Sequence, residues 1–194
     1  MDFTPSIDRR HTQHCFDTLV AHLNGKLAPE YPKNLPDFSA PLFVTWTTNP
    51  GKELRGCIGT FESQNLSKNL SKYALISAVQ DSRFSPINKS ELPRLNCSVS
   101  ILLNFVDRES WDKWEVGVHG IEIEYKHNGG KYRGTFLPEV AKEQGWDQEE
   151  TLKYLIRKSG CSDHYKSILH KVKLTTYESV KVTLSYEEYQ QMAD

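Results

Sequence analysis

One stretch of seven residues, Leu54-Arg55-Gly56-Cys57-Ile58-Gly59-Thr60, constrains this chain most tightly. Two glycines bracket a cysteine, and the flanks are apolar and β-prone: Pro41-Leu42-Phe43-Val44-Thr45-Trp46 before, Phe61 after. A glycine inside a strand removes the Cβ, so another backbone can come close or the strand can bend. The stretch therefore reads as a thiol on a strand or bulge with little covering it. Leu42 to Thr48 is a predicted strand, Asn49-Pro50-Gly51-Lys52 is a turn signal, and Arg55 to Phe61 returns. The thiol thus sits on a hairpin.

The remaining elements follow from periodicity. Residues 1–10 read as a flexible arm. From about Thr12, Phe16, Leu19, Val20 and Leu23 recur at helical spacing until Gly25 and Pro29. Four prolines between 29 and 41 make that segment extended. A helix is predicted from Leu66 to Gln80, then a compact loop Asp81-Ser82-Arg83-Phe84-Ser85-Pro86. Leu95, Cys97, Val99, Ile101 and Leu103 alternate with Asn96, Ser98 and Ser100, giving a strand with one buried face. Trp111 and Trp114 lie in a charged connector. Ile121 to Tyr125 and Tyr132 to Phe136 flank an Asn128-Gly129-Gly130 hairpin turn. Pro138 opens a short helix reaching about Gln144, and Asp147 caps another that stops at Gly160. Val180, Val182, Leu184 and Tyr186 alternate in a last strand. Hairpins with helices between them make an α+β fold, a mainly antiparallel sheet with flanking helices.

The 194 residues suit one domain, with a core of about 10–188, or two tightly joined halves. Lys and Arg number 24 against 25 Asp and Glu, which argues against a dominant polyanion-binding surface. The start of the chain lacks a signal-peptide pattern, and no run approaches the roughly 18 apolar residues of a membrane span. The expected location is the cytosol, with passive passage to the nucleus. There Cys15, Cys57, Cys97 and Cys161 should be reduced thiols.

Several stretches together resemble the AMMECR family, named from a human Alport-syndrome deletion region. Besides Leu54 to Thr60 they are Asp81-Ser82-Arg83-Phe84, Glu91-Leu92-Pro93, Cys97-Ser98-Val99-Ser100, the run Trp114 to Ile121, and the run Leu137 to Asp147. The likeness spans about Pro41 to Tyr186 and is closest to the eukaryotic branch. Prokaryotic members usually have Asp-Pro-Arg-Phe where this chain has Ser82, so Ser82 is not diagnostic. The resemblance implies an α+β fold of two unequal subdomains. It implies less about function: prokaryotic relatives can be fused or neighboured with Memo-type and radical-SAM proteins, which hints at shared chemistry, and nucleic-acid-related roles have also been suggested.

Cys57 is the candidate nucleophile, because a thiolate is the reactive form of cysteine and a nearby cation favours it. Arg55, two residues away, shares its strand face if the pairing is regular, and its planar fork suits a carboxylate or phosphate. Thr60 and freed backbone N–H groups could orient an oxyanion. His119, between Gly117 and Gly120, is the candidate base. Asp81 and Arg83 either line the site or lock their loop with Phe84. His11, His14 and Cys15 fall at helical spacing, but no Cys-x-x-Cys or His-Glu-x-x-His pattern occurs, so neither a metal nor a cofactor is expected. Two readings remain: a small-molecule enzyme whose cleft takes an anionic ligand, and a non-catalytic adaptor whose cleft or surface, for example an exposed aromatic patch including Trp111 or Trp114, binds a protein or nucleic-acid partner. A nucleic-acid partner has no motif to support it.

Overall fold

The computed structural model describes residues 5–192. Residues 1–4 of the expected arm lie outside the described range. The chain divides into two compact units, one made of residues up to Ile101 together with those from Val180, the other of Leu102–Ser179.

In the first unit, helix α1 (Arg9–Leu23) starts three residues before Thr12, where periodicity placed it. The cause is local. The Asp8 carboxylate accepts the Arg10 N–H at 2.9 Å, and the His11 ring accepts the Asp8 N–H at 3.1 Å. This reciprocal cap needs no apolar residue, so periodicity could not see it. Ile7 is already buried, so order reaches back into the segment read as an arm.

The hairpin forms as expected from β1 (Ser39–Thr48) and β2 (Glu53–Asn65). Leu42, Val44 and Trp46 point to one face and are fully buried. Helix α2 (Leu66–Val79) packs against it with Leu66, Leu70 and Ala74. The Trp46 indole N–H reaches the Ala74 carbonyl and the Ser77 hydroxyl, each at 3.1 Å. A buried indole stays cheap only with such a partner. Phe16 of α1 meets the Trp46 ring edge-to-face at 5.1 Å.

Strand β3 (Leu95–Arg108) pairs antiparallel with β1, placing Cys97, Val99 and Ile101 beside Trp46, Val44 and Leu42 on the core face. One buried face was expected. Instead Asn96, Ser98 and Ser100 are buried as well. Two of these short polar side chains have side-chain partners: Asn96 with Asn49 in the turn after β1, and Ser98 with Thr183 at 2.8 Å.

The second unit holds the hairpin β4 (Gly120–His127) and β5 (Gly130–Phe136), with Asn128 and Gly129 at positive φ in the turn. Helices α3 (Pro138–Gln144) and α4 (Gln148–Lys158) follow, with Asp147 accepting the Glu150 N–H at 2.8 Å. Leu152, Leu155 and Ile156 pack on Ile121, Ile123 and Tyr125. Trp114 joins this core, and Trp111 packs against it. The connector that carries them is therefore not an exposed aromatic patch.

Strand β6 (Lys173–Ser185) begins earlier than its alternating tail suggested, and pairs antiparallel with β4. Tyr186 does not continue it but opens helix α5 (Tyr186–Met192). The strands hydrogen-bond in the order β2-β1-β3-β6-β4-β5, which leaves β2 and β5 at the edges. Among the described residues no helix is long and apolar enough to cross a membrane.

The glycine before Cys57 is explained by packing. A Cβ on Gly56 would lie 1.9 Å from the Ser77 carbonyl oxygen of α2. Backbone cannot yield as a side-chain tip can. Gly56→Ala should therefore cost about 3 kcal/mol or more in urea unfolding, at the upper end of overpacking changes.

Candidate functional site

Cys57 lies on β2, an edge strand, so its backbone N–H and C=O on the outer side have no strand to pair with. Unpaired edge groups are exposed to exchange and to foreign strands. The loop after α2 meets this need. The Asp81 carboxylate accepts the Cys57 N–H at 2.9 Å, and Arg83 Nη2 donates to the Cys57 carbonyl at 3.1 Å. One carboxylate and one guanidinium replace a strand's bonds at a single residue. The two side chains also pair with each other, Arg83 Nη2 to Asp81 Oδ2 at 2.7 Å and Nε to Oδ1 at 2.9 Å.

Asp81 is buried and accepts four charge-assisted or backbone bonds, counting the Arg83 N–H. The Arg83 guanidinium, helped by those N–H groups, holds its carboxyl far below the ordinary carboxylate range. Arg83 itself is half exposed, and its guanidinium stands 5.4 Å from the Phe84 ring centroid. Its pKa is raised, first by the bonds to Asp81, with the Cys57 thiol adding in the same direction. Arg83, rather than Arg55, is the cation bonded to Cys57, through its backbone carbonyl.

Arg55 is placed otherwise. Trp46 pairs with Gly56 while Thr47 pairs with Leu54, so Arg55 is the extra residue of a β-bulge and regular facing with Cys57 fails there. Its fork is occupied: Nε donates to Glu91 Oε2 at 2.7 Å, Nη2 to Oε1 at 3.1 Å, and Nη1 to the Ser85 carbonyl at 2.7 Å. Glu91 sits in the 3-10 turn Lys89–Arg94, where it accepts the Asn88 N–H in a capping box. The bond to Arg55 is the main force lowering its pKa. This largely buried bidentate pair leaves no fork for a ligand.

Thr60 also departs from expectation. It pairs with Leu42 on the core-facing parity, while Cys57 pairs with Thr45 on the opposite face. Its hydroxyl accepts the Glu62 N–H at 3.0 Å. It is not placed to orient an oxyanion beside the thiol. The thiol's own partner is Thr45, whose hydroxyl donates to Sγ at 3.1 Å. From Cys57 a row of small polar side chains crosses the sheet: Thr45 opposite, Ser98 next, then Thr183.

His119 lies in the second unit. Its Nδ1 accepts the Glu115 N–H at 3.1 Å, and Arg108 Nη2 stands 3.4 Å from Nε2. Both partners stabilise its own turn, and among the described residues no base hydrogen-bonds the Cys57 thiol. Two histidines of α1 are separately engaged, His11 with Asp8 and His14 with Ser71 at 2.7 Å.

Sequence reasoning named Cys57, Asp81 and Arg83 and missed Thr45 and the role of Glu91. The Asn88-x-x-Glu91 capping pattern was the signal for Glu91. Thr45 could be found only through the register.

Comparisons with known proteins agree with this architecture. The AMMECR1 family model matches residues 12–182. An uncharacterised protein of Arabidopsis thaliana is 41% identical over 190 residues, covering 95% of this chain and 88% of its own. One from Schizosaccharomyces pombe is 39% identical over 184 residues, covering 93% and 94%. The crystal structure of an uncharacterised Pyrococcus horikoshii protein matches with a TM-score of 0.74 at 29% identity, over 90% of this chain and 89% of that one.

The clamp predicts a pH signature. Asp81 and Glu91 both have lowered folded-state pKa values, so their stabilisation is complete above the unfolded values near about 4. It is lost as pH falls below about 4 towards the folded values. Asp81→Asn should cost about 2–4 kcal/mol at pH 7, since it leaves buried donors poorly matched. In chemical unfolding from pH 7 to 3, the variant should lose less stability on acidification than the parent.

Proposed function

The chain belongs to the AMMECR1 family, and on that premise we propose that it binds a small anionic molecule on the Cys57 face of β1 and β2. Arg83 carries the charge recognition, and Thr45 and Cys57 supply the contact at the reacting end. The observation that carries this reading is the pairing of a half-exposed thiol, engaged by one hydroxyl, with a half-exposed guanidinium fixed to the same residue's carbonyl. Arg83 Nη1 has no protein partner among the described residues, so the guanidinium keeps a donor for a ligand. Asp81 is a positioning residue: it fixes Arg83 and the strand together. Arg55 positions the loop through Glu91 and Ser85 and does not meet the ligand.

This is the site an enzyme of the family would use, with Cys57 as its nucleophile. The base such an enzyme needs would arrive with the ligand or through water, because His119 is engaged in its own turn. For an adaptor, Trp111 and Trp114 do not supply an exposed aromatic patch, since Trp114 lies in the second unit's core and Trp111 packs against it. We place the protein in the cytosol, where Cys57 stays reduced.

The test compares alkylation by iodoacetate, an anion, with alkylation by neutral iodoacetamide. Cys15, Cys97 and Cys161 are buried, so Cys57 reports first. The iodoacetate-to-iodoacetamide rate ratio should exceed that of a free model thiol by about fivefold, as about 1 kcal/mol of attraction gives. It should fall with added salt, and drop to the model value or below in Arg83→Gln, which leaves the Asp81 carboxylate uncompensated. A wild-type ratio equal to that of the model thiol would overturn the reading.

A further inference from the structure

A second cluster of reactive side chains lies in the unit Leu102–Ser179. His127 ends β4, and Cys161 and Asp163 follow α4 in one loop. Their ligand atoms all lie within 4.8 Å of one another. We propose that these three residues form a binding site for a divalent zinc-class cation, with its fourth position open to solvent or ligand.

The donor set argues for that class of metal. A thiolate, an imidazole and a carboxylate suit zinc, whose bonds to them run about 2.0–2.3 Å. Hard cations such as magnesium or calcium take oxygen ligands and would not seek Cys161. Tetrahedral geometry at those lengths sets the donor atoms about 3.3–3.6 Å apart. His127 Nε2 now donates to Asp163 Oδ2 at 2.7 Å, so this pair opens while the wider separations close. Asp163 is half exposed and can turn, whereas His127 and Cys161 are largely buried and preset.

The surroundings fit a three-ligand site. Asn128 Nδ2 holds Asp163 Oδ2 at 3.0 Å. Tyr125 stands beside the Cys161 thiol, and its phenol pairs with Ser159 at 2.7 Å. A hydroxyl beside the sulfur is the kind of outer contact that tunes a metal ligand. Cys161 and Asp163 line a cleft of about 590 Å³ with Lys153, Arg157 and His164, which gives room for a fourth ligand and favours an anionic one. This open position is the pattern of a catalytic rather than a structural zinc.

Lys171 works against the ion. Its Nζ donates to His127 Nδ1 at 3.1 Å, which fixes the ring proton on Nε2. On binding, that proton moves to Nδ1 and Lys171 swings away. Cys161 gives its thiol proton to solvent as sulfur binds the metal, so one proton is released and nothing is oxidised.

Titrating the full chain with zinc by calorimetry, and with cobalt by absorption, tests the site. One equivalent of zinc per chain is expected, and the cobalt form should show a thiolate-to-metal charge-transfer band. His127→Gln and Cys161→Ser should weaken zinc binding by at least about tenfold. Cys161 is buried and its variant is at risk of misfolding, so the exposed Asp163→Asn must weaken binding too. Lys171→Gln should tighten it, a gain that misfolding cannot produce. A cobalt complex without the thiolate band, or zinc affinity unchanged in Asp163→Asn and Lys171→Gln, would overturn the proposal.

Discussion

The bond between the Asp81 carboxylate and the Cys57 N–H holds the first unit's edge in place. Without it β2 would present an unpaired amide and carbonyl beside its only cysteine. An edge strand is normally protected by charge, by a bulge or by a covering loop. This chain uses all three within a few residues. Arg55 is the bulged residue, the loop after α2 covers the edge, and the ion pairs Asp81–Arg83 and Arg55–Glu91 fasten it. Both arginines are answered by carboxylates, and Arg83 keeps Nη1 beyond its pair.

The clamp also gives the thiol its electrostatic setting. Arg83 is fixed twice, to Asp81 and to the Cys57 carbonyl, and so cannot wander from the residue it serves. A pre-positioned guanidinium loses little entropy on meeting an anion. On the opposite face the strand is pressed against α2 so closely that Gly56 has no room for a side chain. Packing behind and a polar clamp at the edge leave Cys57 as a side chain held on a rigid backbone.

Much of this fold was legible in the sequence, for reasons that can be named. The β1–β2 hairpin carried alternation and a turn signal, and α2 and α4 carried apolar stripes. The β4–β5 turn carried Asn-Gly. What failed to show was non-periodic. The start of α1 rests on Asp8 and His11, neither of which marks an apolar face. The bulge at Arg55 is a matter of register, and it moved that residue from candidate ligand-binder to structural partner of Glu91. Alternation does place Thr60 opposite Cys57, yet the side of the sheet that faces the core is set by α2. The His127, Cys161 and Asp163 cluster joins a strand end to a loop more than thirty residues on, which no local spacing reveals.

Hydrogen exchange at the Cys57 amide tests the clamp most directly. On an open edge this N–H would exchange as fast as other solvent-facing strand amides. Held by Asp81, it should be strongly protected in the parent chain. In Asp81→Asn its protection should fall sharply, while the amides of β1 that pair with β2 and β3 stay protected. A Cys57 amide that exchanges freely in the parent chain, or keeps its protection after Asp81→Asn, would contradict the account.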